Sequence, residues 1–582
     1  MSALLAGPGA LSSPRHESIP TVDASRQGWA RWFPQLADGQ KRPWRLAELG
    51  LLALALAVGI GAYAIIGYTV TGSMPEDFTQ KALLLAGLAA FMHIMVRLFA
   101  PWADQVILPC VILLYGIGSA MIYRIGLAGV NGADASRNML WAAVSMGAAA
   151  LTLIVIHDHR MLRRFTYISM VVGLVLLALP IVPGLGRTIN GARRWIGIGP
   201  FSLQPSEFAK VALAIFFAGY FRINRDNLAL AGPKIWRVQL PRLKDLGPIA
   251  LVWAASIGVL VLQTDLGMSL LIFGLFVAML YLATQRVSWL LIGGVMFVIG
   301  AVLAIGAFPH VMARMDVWFN AMDPAVYDRS PGGSFQLVQG LFGMANGGLI
   351  GTGWGRGFPY LVPLSFSDFI FPAIGEEIGL TGLLAILVIF MIIVERGLRT
   401  ALSVRDGFGK LLAAGLSFLF ALQLFTIIGG VTRLLPLTGL TVPFMAQGGS
   451  SMMANWIVVA LLLRISDAAR RPSQDPGLGE IAGAAALSEQ PQEVIVPGQS
   501  FTETPVILRE QNPVILREQT PVILRTATPL GRSVNSAAES SPQTVLVADG
   551  QAPGFCDPAS WPQNDRLGGQ ATEFIPIGGR DE

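Results

Sequence analysis

Long apolar runs separated by short polar segments make up most of the chain between residues 47 and 464. Each run is about 20 residues long, the length that an α-helix needs to cross the hydrocarbon core of a membrane. We predict an all-α polytopic membrane protein with about twelve transmembrane helices. The predicted spans are 47–70, 80–99, 105–123, 138–156, 164–183, 205–221, 246–263, 266–284, 287–308, 368–394, 410–430 and 438–464.

The distribution of basic residues predicts how these spans are oriented. Most loop Arg and Lys residues lie in 157–165, 221–245 and 396–410. With an even number of spans, these three loops share one side of the membrane with the N-terminal tail, 1–46. That side is cytoplasmic by the positive-inside rule. Both termini are therefore predicted to be cytoplasmic, and the longest loop, 309–367, is predicted to be extracellular.

The overall composition agrees with a membrane protein. The 582 residues are 53% hydrophobic and 13% charged, with a mean hydropathy of +0.59, whereas soluble domains are about 25% charged. The net charge of +5 comes from basic residues in short loops between apolar runs, so it indicates membrane orientation and predicts no nucleic-acid partner. Cys110 and Cys556 indicate neither a disulfide framework nor a cysteine metal site.

The two ends of the chain differ from the apolar region. Residues 1–46 lack an early apolar core, which argues against a cleavable signal peptide. Residues 467–582 are rich in Pro, Gly, Ser, Gln and Glu and are predicted to form a disordered cytoplasmic tail. Within 504–526 the sequence PVILR occurs three times at a period of eight. We interpret these repeats as low-complexity drift, and the alternative is a set of docking motifs for cytoplasmic partners.

Several polar clusters interrupt the apolar pattern outside the basic loops. When the spans are threaded alternately across the membrane, all of these clusters fall at the outer face or in the outer half of a helix. An ionisable residue at the centre of a span costs roughly 2.5–3.5 kcal/mol, so many such residues on one side predict a common polar site. The clusters are 190–210, 262–267, the loop around Asp323, 365–379, 432–443 and 446–451.

The first of these clusters also have interpretations that involve no chemistry. Arg193 and Arg194 could anchor the chain at the membrane interface. Glu207 and Lys210 stand three residues apart on one helical face and could pair with each other. Asp265 could cap the helix that follows it, because a carboxylate is favoured near a helix N-terminus.

Structural interpretations apply to the later clusters as well. Glu376 and Glu377 lie about two turns inside a span and need partners on another helix, for which Arg433 is one candidate. The GGSS sequence (448–451) is typical of close helix packing. The glycines of 346–357 match no phosphate-loop pattern. His93 and Arg97, near the inner end of an early span, are interpreted as structural.

Considered together, the motifs resemble those of the SEDS family (shape, elongation, division and sporulation), which includes RodA, FtsW and SpoVE-like proteins. The resemblance covers roughly residues 105–466, and GGVTRLLPLTGL with the long tail is similar to actinobacterial RodA-type members. It implies a ten-helix glycosyltransferase core at 100–466, with the two spans in 47–99 as an N-terminal addition. The motifs, in the family's order, are GARRWI, QPSEFAK, QTDLG, GSFQLVQG, GGLIGTGWGRG, SDFIFPAIGEEIGLTG and PLTGLTVPFMAQGGSS.

This resemblance implies an activity in cell wall biogenesis. The family polymerises peptidoglycan glycan strands from lipid II at the outer face of the bacterial cytoplasmic membrane. The expected function is therefore an inverting peptidoglycan glycosyltransferase that uses a polyprenyl-diphosphate-linked donor in cell elongation or cell division, and so maintains cell shape. The implied partner is a class B penicillin-binding protein, which cross-links the strands. Transpeptidation is not expected from this chain, because its outer loop has no Ser-x-x-Lys motif.

The resemblance also assigns roles to individual residues. The catalytic aspartate of the Asp–Pro motif is Asp323 here, a general base for the attacking sugar 4-hydroxyl; Asp328 is the rival carboxylate. The departing diphosphate needs positive charge, from basic side chains or from a bound divalent cation, Mg²⁺ or Mn²⁺. The candidate basic residues, in order of preference, are Arg193, Arg194, Lys210 and Arg433. The other candidates for substrate binding are Glu207, Asp265, Gln336, Asp368, Glu377 and Ser450.

Four positions depart from the family pattern, and two other functions remain open. Ala446 and Gln447 replace the Ser and Tyr of SYGGSS, Ile427 replaces Asn, and Thr264 replaces the Pro of QPDLG. One alternative function is a flippase for the lipid-linked precursor, which requires a polar path through the inner halves of the spans; few such residues are present. The other is a non-catalytic scaffold that recruits cell-wall enzymes through its tail.

Overall fold

The computed structural model describes most of the region between residues 43 and 472. The predicted tails 1–46 and 467–582 and the predicted span 246–263 lie mostly outside the described residues, and the PVILR repeats and Thr264 lie wholly outside them. The described residues are 43–189, 192–198, 201–225, 231–235, 238–241, 254–255, 257–258, 263, 265–330 and 332–472.

Helices dominate the described residues, as the apolar runs predict. Two 3₁₀ segments, His159–Phe165 and Leu179–Ile181, flank the fifth helix, and a third covers Pro359–Leu361. The α-helices are α1 Leu46–Thr71, α2 Phe78–Phe99, α3 Ile107–Leu127, α4 Ala135–Val155, α5 Thr166–Ala178, α6 Pro205–Ile223, α7 Leu266–Thr284, α8 Ser288–Ala307, α9 Pro309–Phe319, α10 Pro324–Tyr327, α11 Phe335–Gly347, α12 Ile370–Ser403, α13 Gly407–Val431 and α14 Gly449–Arg470.

Ten helical segments of the described chain are long and apolar enough to cross a membrane. They are α1 to α4, the segment His159–Ile181 that contains α5, α7, α8, and α12 to α14. An eleventh predicted span corresponds to α6, which has 19 residues but carries Glu207, Lys210 and Arg222. The fold is therefore an all-α polytopic membrane protein, as predicted.

Some helix ends match the predicted boundaries, and others differ for local reasons. α7 begins at Leu266, as predicted, immediately after the break at Asp265. α14 begins at Gly449 and not at 438, because the chain before it contains Pro443 and left-handed backbone at Phe444 (φ 62°), neither of which suits a helix interior. The predicted span 368–394 extends to Ser403 and is broken at Gly379 (φ 69°).

Two small antiparallel sheets, which the apolar pattern does not predict, lie in the connections. The first contains β1 Gly186–Ile189, β2 Ala192–Ile198 and β3 Phe201–Leu203 in the order β1-β2-β3. Its register pairs Gly186 with Ile196 and Ile196 with Leu203. The second pairs β4 Ala231–Ile235 with β5 Val238–Pro241. The first sheet carries the predicted Arg193–Arg194 pair and leads into α6.

Contacts between the loops fall into two sets at opposite ends of the helices. At one end, Gln447 Nε2 donates to Gly132 O at 2.8 Å. At the other end, His159 Nε2 lies 2.6 Å from Asp406 Oδ2. This division agrees with the prediction that successive spans cross the membrane in alternate directions. We call the end with loops 128–134, 182–204, 308–369 and 432–448 the loop-rich end, and the end with 100–106, 156–165 and 404–406 the basic end.

Helices of the bundle differ strongly in burial. In α3, α13 and α14, between 72% and 78% of the most apolar window is buried inside the protein, so these helices form its centre. α8 is only 6% buried by the same measure. Charged residues buried at the basic end are paired: Arg464, 1% exposed, donates to Phe99 O and Leu153 O. Such pairing offsets the cost of removing the charge from water.

Candidate functional site

Arg194 on β2 and Asp265 at the start of α7 meet at the loop-rich end. Arg194 Nη1 lies 3.5 Å from Asp265 Oδ1, and the carboxylate is fully buried. The same oxygen accepts a hydrogen bond from Met268 N at 3.2 Å, which confirms that Asp265 caps α7. Gln204 Nε2, just before α6, lies 3.4 Å from Asp265 Oδ2. Asp265 therefore joins the first sheet to the starts of α6 and α7.

Arg314 on α9 belongs to the same polar region. Its Nη1 donates to Leu437 O at 2.7 Å. Burial and the neighbouring charge of Arg194 lower the pKa of Arg314, while Asp265 and Asp368 act in the opposite direction. Arg314 was not among the predicted residues. The sequence feature that could have identified Arg314 is its position in a loop predicted to be extracellular, where basic residues are scarce.

Asp368, just before α12, completes this group. Burial raises its pKa to about 6, an effect that Arg194 and Arg314 partly offset. Two guanidinium groups and two carboxylates thus influence one another at the loop-rich end. We call Arg194, Asp265, Arg314 and Asp368 the charged cluster.

Arg193 and Gln336, two further candidates, make local contacts near this region. Arg193 Nη2 donates to Val182 O at 3.3 Å in an exposed position, which fits the interpretation of an interfacial residue. Gln336 Nε2 donates to Pro363 O at 2.8 Å and so connects the start of α11 to the segment before α12. Neither contact joins these two side chains to the charged cluster.

Glu207 and Lys210 form a buried pair on α6, as their spacing predicts. Lys210 Nζ lies 2.6 Å from Glu207 Oε2 and donates to Gln423 Oε1 at 2.8 Å. Asn455 Oδ1 lies 3.5 Å from the same nitrogen. A lysine ammonium has three hydrogens to donate, and three acceptors surround this one. The three acceptors thus occupy the donors of Lys210, which connects α6 to α13 and α14.

The GGSS motif connects α14 with its neighbours. Ser450 Oγ accepts a hydrogen bond from Gln204 N at 2.9 Å, and a side chain at Gly449 would overlap the ring of Trp141 on α4. These contacts confirm close helix packing at this motif. Gln447, which departs from the family pattern, accepts from Asp134 N at 3.0 Å and ties the loop 128–134 to the start of α14.

Arg433 contacts the end of α9 and not the glutamates of α12. Its Nε donates to Trp318 O at 2.8 Å, and its Nη2 donates to Phe319 O at 2.7 Å. The suggested pairing of Arg433 with Glu376 or Glu377 is therefore wrong. The last carbonyls of a helix lack partners within the helix and carry partial negative charge, which explains why the guanidinium binds there.

The partners of the two glutamates come from other parts of the chain. Glu377 Oε1 lies 3.1 Å from Arg124 Nε, and both side chains are buried. Gly355 N donates to Glu377 Oε2 at 2.9 Å. Glu376 Oε1 accepts from Asn346 Nδ2 at 2.9 Å. Arg124 directly follows the predicted span 105–123, a position typical of an interfacial residue, and no sequence pattern indicated its pairing with Glu377.

The glycine-rich segment 346–357 packs against the break in α12. Thr352 N donates to Glu376 O at 3.0 Å, and Gly353 N donates to Glu377 O at 2.9 Å. Arg124 Nη2 donates to Gly357 O at 2.7 Å. Glycine allows the backbones to approach this closely. The segment thus supports the two glutamates.

Asp323 lies at the start of the short helix α10. Its Oδ1 accepts a hydrogen bond from Ala325 N at 2.9 Å, with Pro324 at the first helical position, an arrangement typical of a helix N-cap. Both Asp323 and Asp328 are exposed. Within the described chain, Asp328 makes no side-chain hydrogen bond or ion pair. The cap orients Asp323 and leaves its second carboxylate oxygen available.

Residues that could hold a divalent cation are few. In the part of the chain that the structure describes, no group of three or more His, Cys, Asp or Glu side chains could hold a metal ion. Mg²⁺, however, is often bound by one or two carboxylates together with substrate phosphates. Asp368 and Asp265 in the charged cluster are acids of the kind such binding requires, and Asp265 already faces Arg194.

A family model and curated relatives identify one family for this chain. A family model described as "Cell cycle protein" (FtsW, RodA, SpoVE) matches residues 98–471. The chain is 44% identical over 434 residues to peptidoglycan glycosyltransferase RodA of Mycobacterium tuberculosis, covering 74% of this chain and 92% of that protein. It is 32% identical over 375 residues to stage V sporulation protein E of Bacillus subtilis, covering 62% and 96%. A chain of a solved peptidoglycan synthase complex matches with a TM-score of 0.44 and 23% identity, covering 67% of this chain and 98% of that one.

Proposed function

The chain belongs to the FtsW, RodA and SpoVE family of cell cycle proteins, the SEDS family, and on that premise we propose that it is a peptidoglycan glycosyltransferase that polymerises glycan strands. The observation that carries this conclusion is the 44% identity, over 92% of its length, to a RodA named for that activity. The chain is a multi-pass membrane protein. Its role belongs to cell wall biogenesis, in elongation or in division.

We further propose lipid II as the substrate, bound at the loop-rich end. The donor of such a reaction carries a sugar on a polyprenyl diphosphate, which leaves with negative charge. Arg194 and Arg314 are the guanidinium groups of the charged cluster, and guanidinium groups bind phosphate oxygens with paired hydrogen bonds. The geometry alters the order of preference: Arg194 precedes Arg193, and Lys210 is committed to buried acceptors.

The general base proposed for this reaction is Asp323. A sugar hydroxyl is too weak an acid to ionise at neutral pH, and a positioned carboxylate that accepts its proton accelerates attack by about 10²–10⁴-fold. The hydrogen bond from Ala325 N fixes one oxygen of Asp323, so the second oxygen can accept the proton. A single base suits direct displacement, which converts the α-linked diphosphate into a β-linked glycan.

A divalent cation is proposed as an additional component of the charged cluster. Asp368, with Asp265 beside Arg194, would hold it together with the substrate diphosphate. When bound, the cation would neutralise part of the diphosphate charge. Arg194 and Arg314 act on the same charge through their own hydrogen-bond donors.

The proposed orientation places the loop-rich end outside the cytoplasmic membrane and both termini in the cytoplasm. The basic loops support it through the positive-inside rule. Arg163→Cys and Asp328→Cys, each in a chain lacking the native cysteines, test it with a thiol reagent that does not cross membranes. Labelling of the Asp328→Cys chain alone in intact cells is expected, and labelling of the Arg163→Cys chain alone would indicate the opposite orientation.

Family resemblance also supports a class B penicillin-binding protein as partner, which would cross-link the strands as they form. The decisive experiment uses the purified full chain with labelled lipid II, with and without the transpeptidase and Mg²⁺. Glycan chains that lengthen with time are the expected result. Relocation of labelled lipid across vesicles without chain growth would favour a flippase, and neither activity would favour a scaffold.

A further inference from the structure

The N-terminal helices α1 and α2 make close contact with the family core through α3. A side chain at Gly59 on α1 would place its Cβ 2.9 Å from Gly116 Cα on α3, and one at Gly116 would lie 3.0 Å from Gly59 Cα. The two backbones therefore touch. Small residues permit such contact between membrane helices, and the position of α1 on α3 is tightly defined there.

A cluster of aromatic and charged side chains joins the same helices nearer the loop-rich end. The rings of Tyr63 on α1 and Tyr123 on α3 have centroids 4.2 Å apart. Tyr63 Oη donates to Asp77 Oδ1 at 2.7 Å, and Asp77 pairs with Lys81 at 2.7 Å. Lys81 Nζ also lies 5.6 Å and 5.5 Å from the two ring centroids. The cluster connects α1, α2 and α3. Its member on α3, Tyr123, is the residue that precedes Arg124.

The outer end of α1 contacts the glycine-rich segment itself. A Cβ at Gly355 would lie 3.0 Å from Thr69 Cβ and 3.1 Å from Val70 Cγ2. Gly355 has a φ of +81°, a conformation that glycine adopts readily. Trp354, the preceding residue, packs against a small apolar cluster that contains Tyr63 and Ile66 of α1 and Ala120 of α3.

This segment leads directly to the buried glutamate of α12. Gly353 N donates to Glu377 O and Gly355 N donates to Glu377 Oε2, both at 2.9 Å. Arg124, which follows Tyr123 on α3, pairs with the same glutamate and donates to Gly357 O. The N-terminal helices thus contact both supports of Glu377, the glycine-rich segment and the end of α3.

We propose that the helix pair α1–α2 is a positioning element of the polymerase, which holds residues 353–357 and Arg124 and thereby fixes the position of Glu377, a candidate for substrate binding. The proposal rests on the proposed glycosyltransferase function. Because small displacements of catalytic groups caused by distant changes can cost about 10²-fold in rate, separating α1 from α3 slows polymerisation without altering any residue of the site. If the helix pair α1–α2 served only as a membrane anchor, separating α1 from α3 would not change the rate of polymerisation.

Gly59→Leu and Gly61→Leu form a matched pair for the first test. Both glycines lie on α1, and a Cβ at Gly61 meets no atom within 4 Å. In the full-length protein, Gly59→Leu is expected to increase hydrogen–deuterium exchange at Gly353 and Gly355 and to lower kcat/KM for lipid II roughly tenfold. Gly61→Leu is expected to match the wild type in both measurements.

Thr69→Ala combined with Val70→Ala provides a second test that does not wedge the helices apart. Val58→Ala is its control, because Val58 and Val70 lie on the same helix and are 43% and 38% exposed. The double variant is expected to raise exchange at Gly355 and lower kcat/KM, whereas the control is expected to do neither. If Gly59→Leu fails to fold, the comparison of this double variant with Val58→Ala tests the proposal by itself.

Two results would overturn the proposal. One is unchanged exchange at residues 353–355 in the variants at the contact, and the other is increased exchange with wild-type kcat/KM. A wild-type protein that lengthens no glycan chain would refute the proposed function instead. The exchange measurement, which needs no activity, separates these two failures.

Discussion

Arg124 on α3 and Glu377 on α12 form a buried ion pair, with 3.1 Å between Nε and Oε1 and side chains that are 7% and 0% exposed. The pair lies next to the break in α12 at Gly379 and beneath the glycine-rich segment. Since both charges are removed from water, each depends on the other for compensation. This ion pair connects α3 to the acidic motif of α12.

Removal of one partner is expected to destabilise the protein. Arg124→Ala leaves the Glu377 carboxylate buried without its cation, which typically costs about 3–5 kcal/mol. We expect a lower free energy of unfolding, measured by thermal or denaturant unfolding in detergent. Replacing both residues, as Arg124→Met with Glu377→Met, should cost less than Arg124→Ala alone. A double variant less stable than Arg124→Ala would contradict the interpretation that the two buried charges compensate each other.

Asp323→Asn is expected to abolish most polymerisation while preserving the fold. Asparagine caps helices about as well as aspartate, so α10 should remain, but the amide cannot accept the proton of the sugar hydroxyl. Polymerisation of lipid II should fall by at least roughly 10²-fold, with unchanged thermal unfolding. Asp328→Asn is the matched control on the same loop. Activity lost in Asp328→Asn and kept in Asp323→Asn would transfer the role to Asp328.

Arg314→Gln tests the charged cluster as the site of the diphosphate. Removing one preorganised donor to developing negative charge typically costs about 10²-fold or more in rate. We expect that loss in kcat, together with weaker inhibition by inorganic pyrophosphate. Arg193→Gln is the control, because Arg193 is partly exposed and outside the cluster. Equal losses in the two variants would argue for a general effect of surface charge.

Asp368 predicts a pH dependence of cation stimulation. Its pKa is raised from 3.8 to about 6, chiefly by burial, so the carboxylate that a cation requires forms only as the pH rises through about 6. Stimulation of polymerisation by Mg²⁺ should increase across this range and vanish in Asp368→Asn. Stimulation that is constant from pH 5 to pH 8 would show that Asp368 does not hold the cation.

The same shift has a consequence for stability. A raised pKa in the folded state means that folding favours the protonated form. The stabilising contribution of Asp368 is therefore fully present below pH 3.8 and is lost as the pH rises through about 6. The pH dependence of unfolding should differ between wild type and Asp368→Asn mainly within that interval.

Local patterns in the sequence determined much of this molecule. The length of each apolar run fixed where the helices lie, because a span must match the thickness of the membrane. The break at Asp265 and the Glu207–Lys210 pair were also predictable, since a helix cap and an i,i+3 contact involve neighbouring residues only. The family motifs identified the fold and the activity.

Tertiary structure alone decided which distant side chains meet. Arg124 and Glu377 are 253 residues apart, and Arg433 is 115 residues from the helix end that it contacts. Apolar periodicity says that such helices are buried but not which of them are neighbours. Arg314 lies in the charged cluster, and Arg433 contacts the end of α9 and not the glutamates, for the same reason. Each charged side chain binds the partner that the packing of the helices brings within reach.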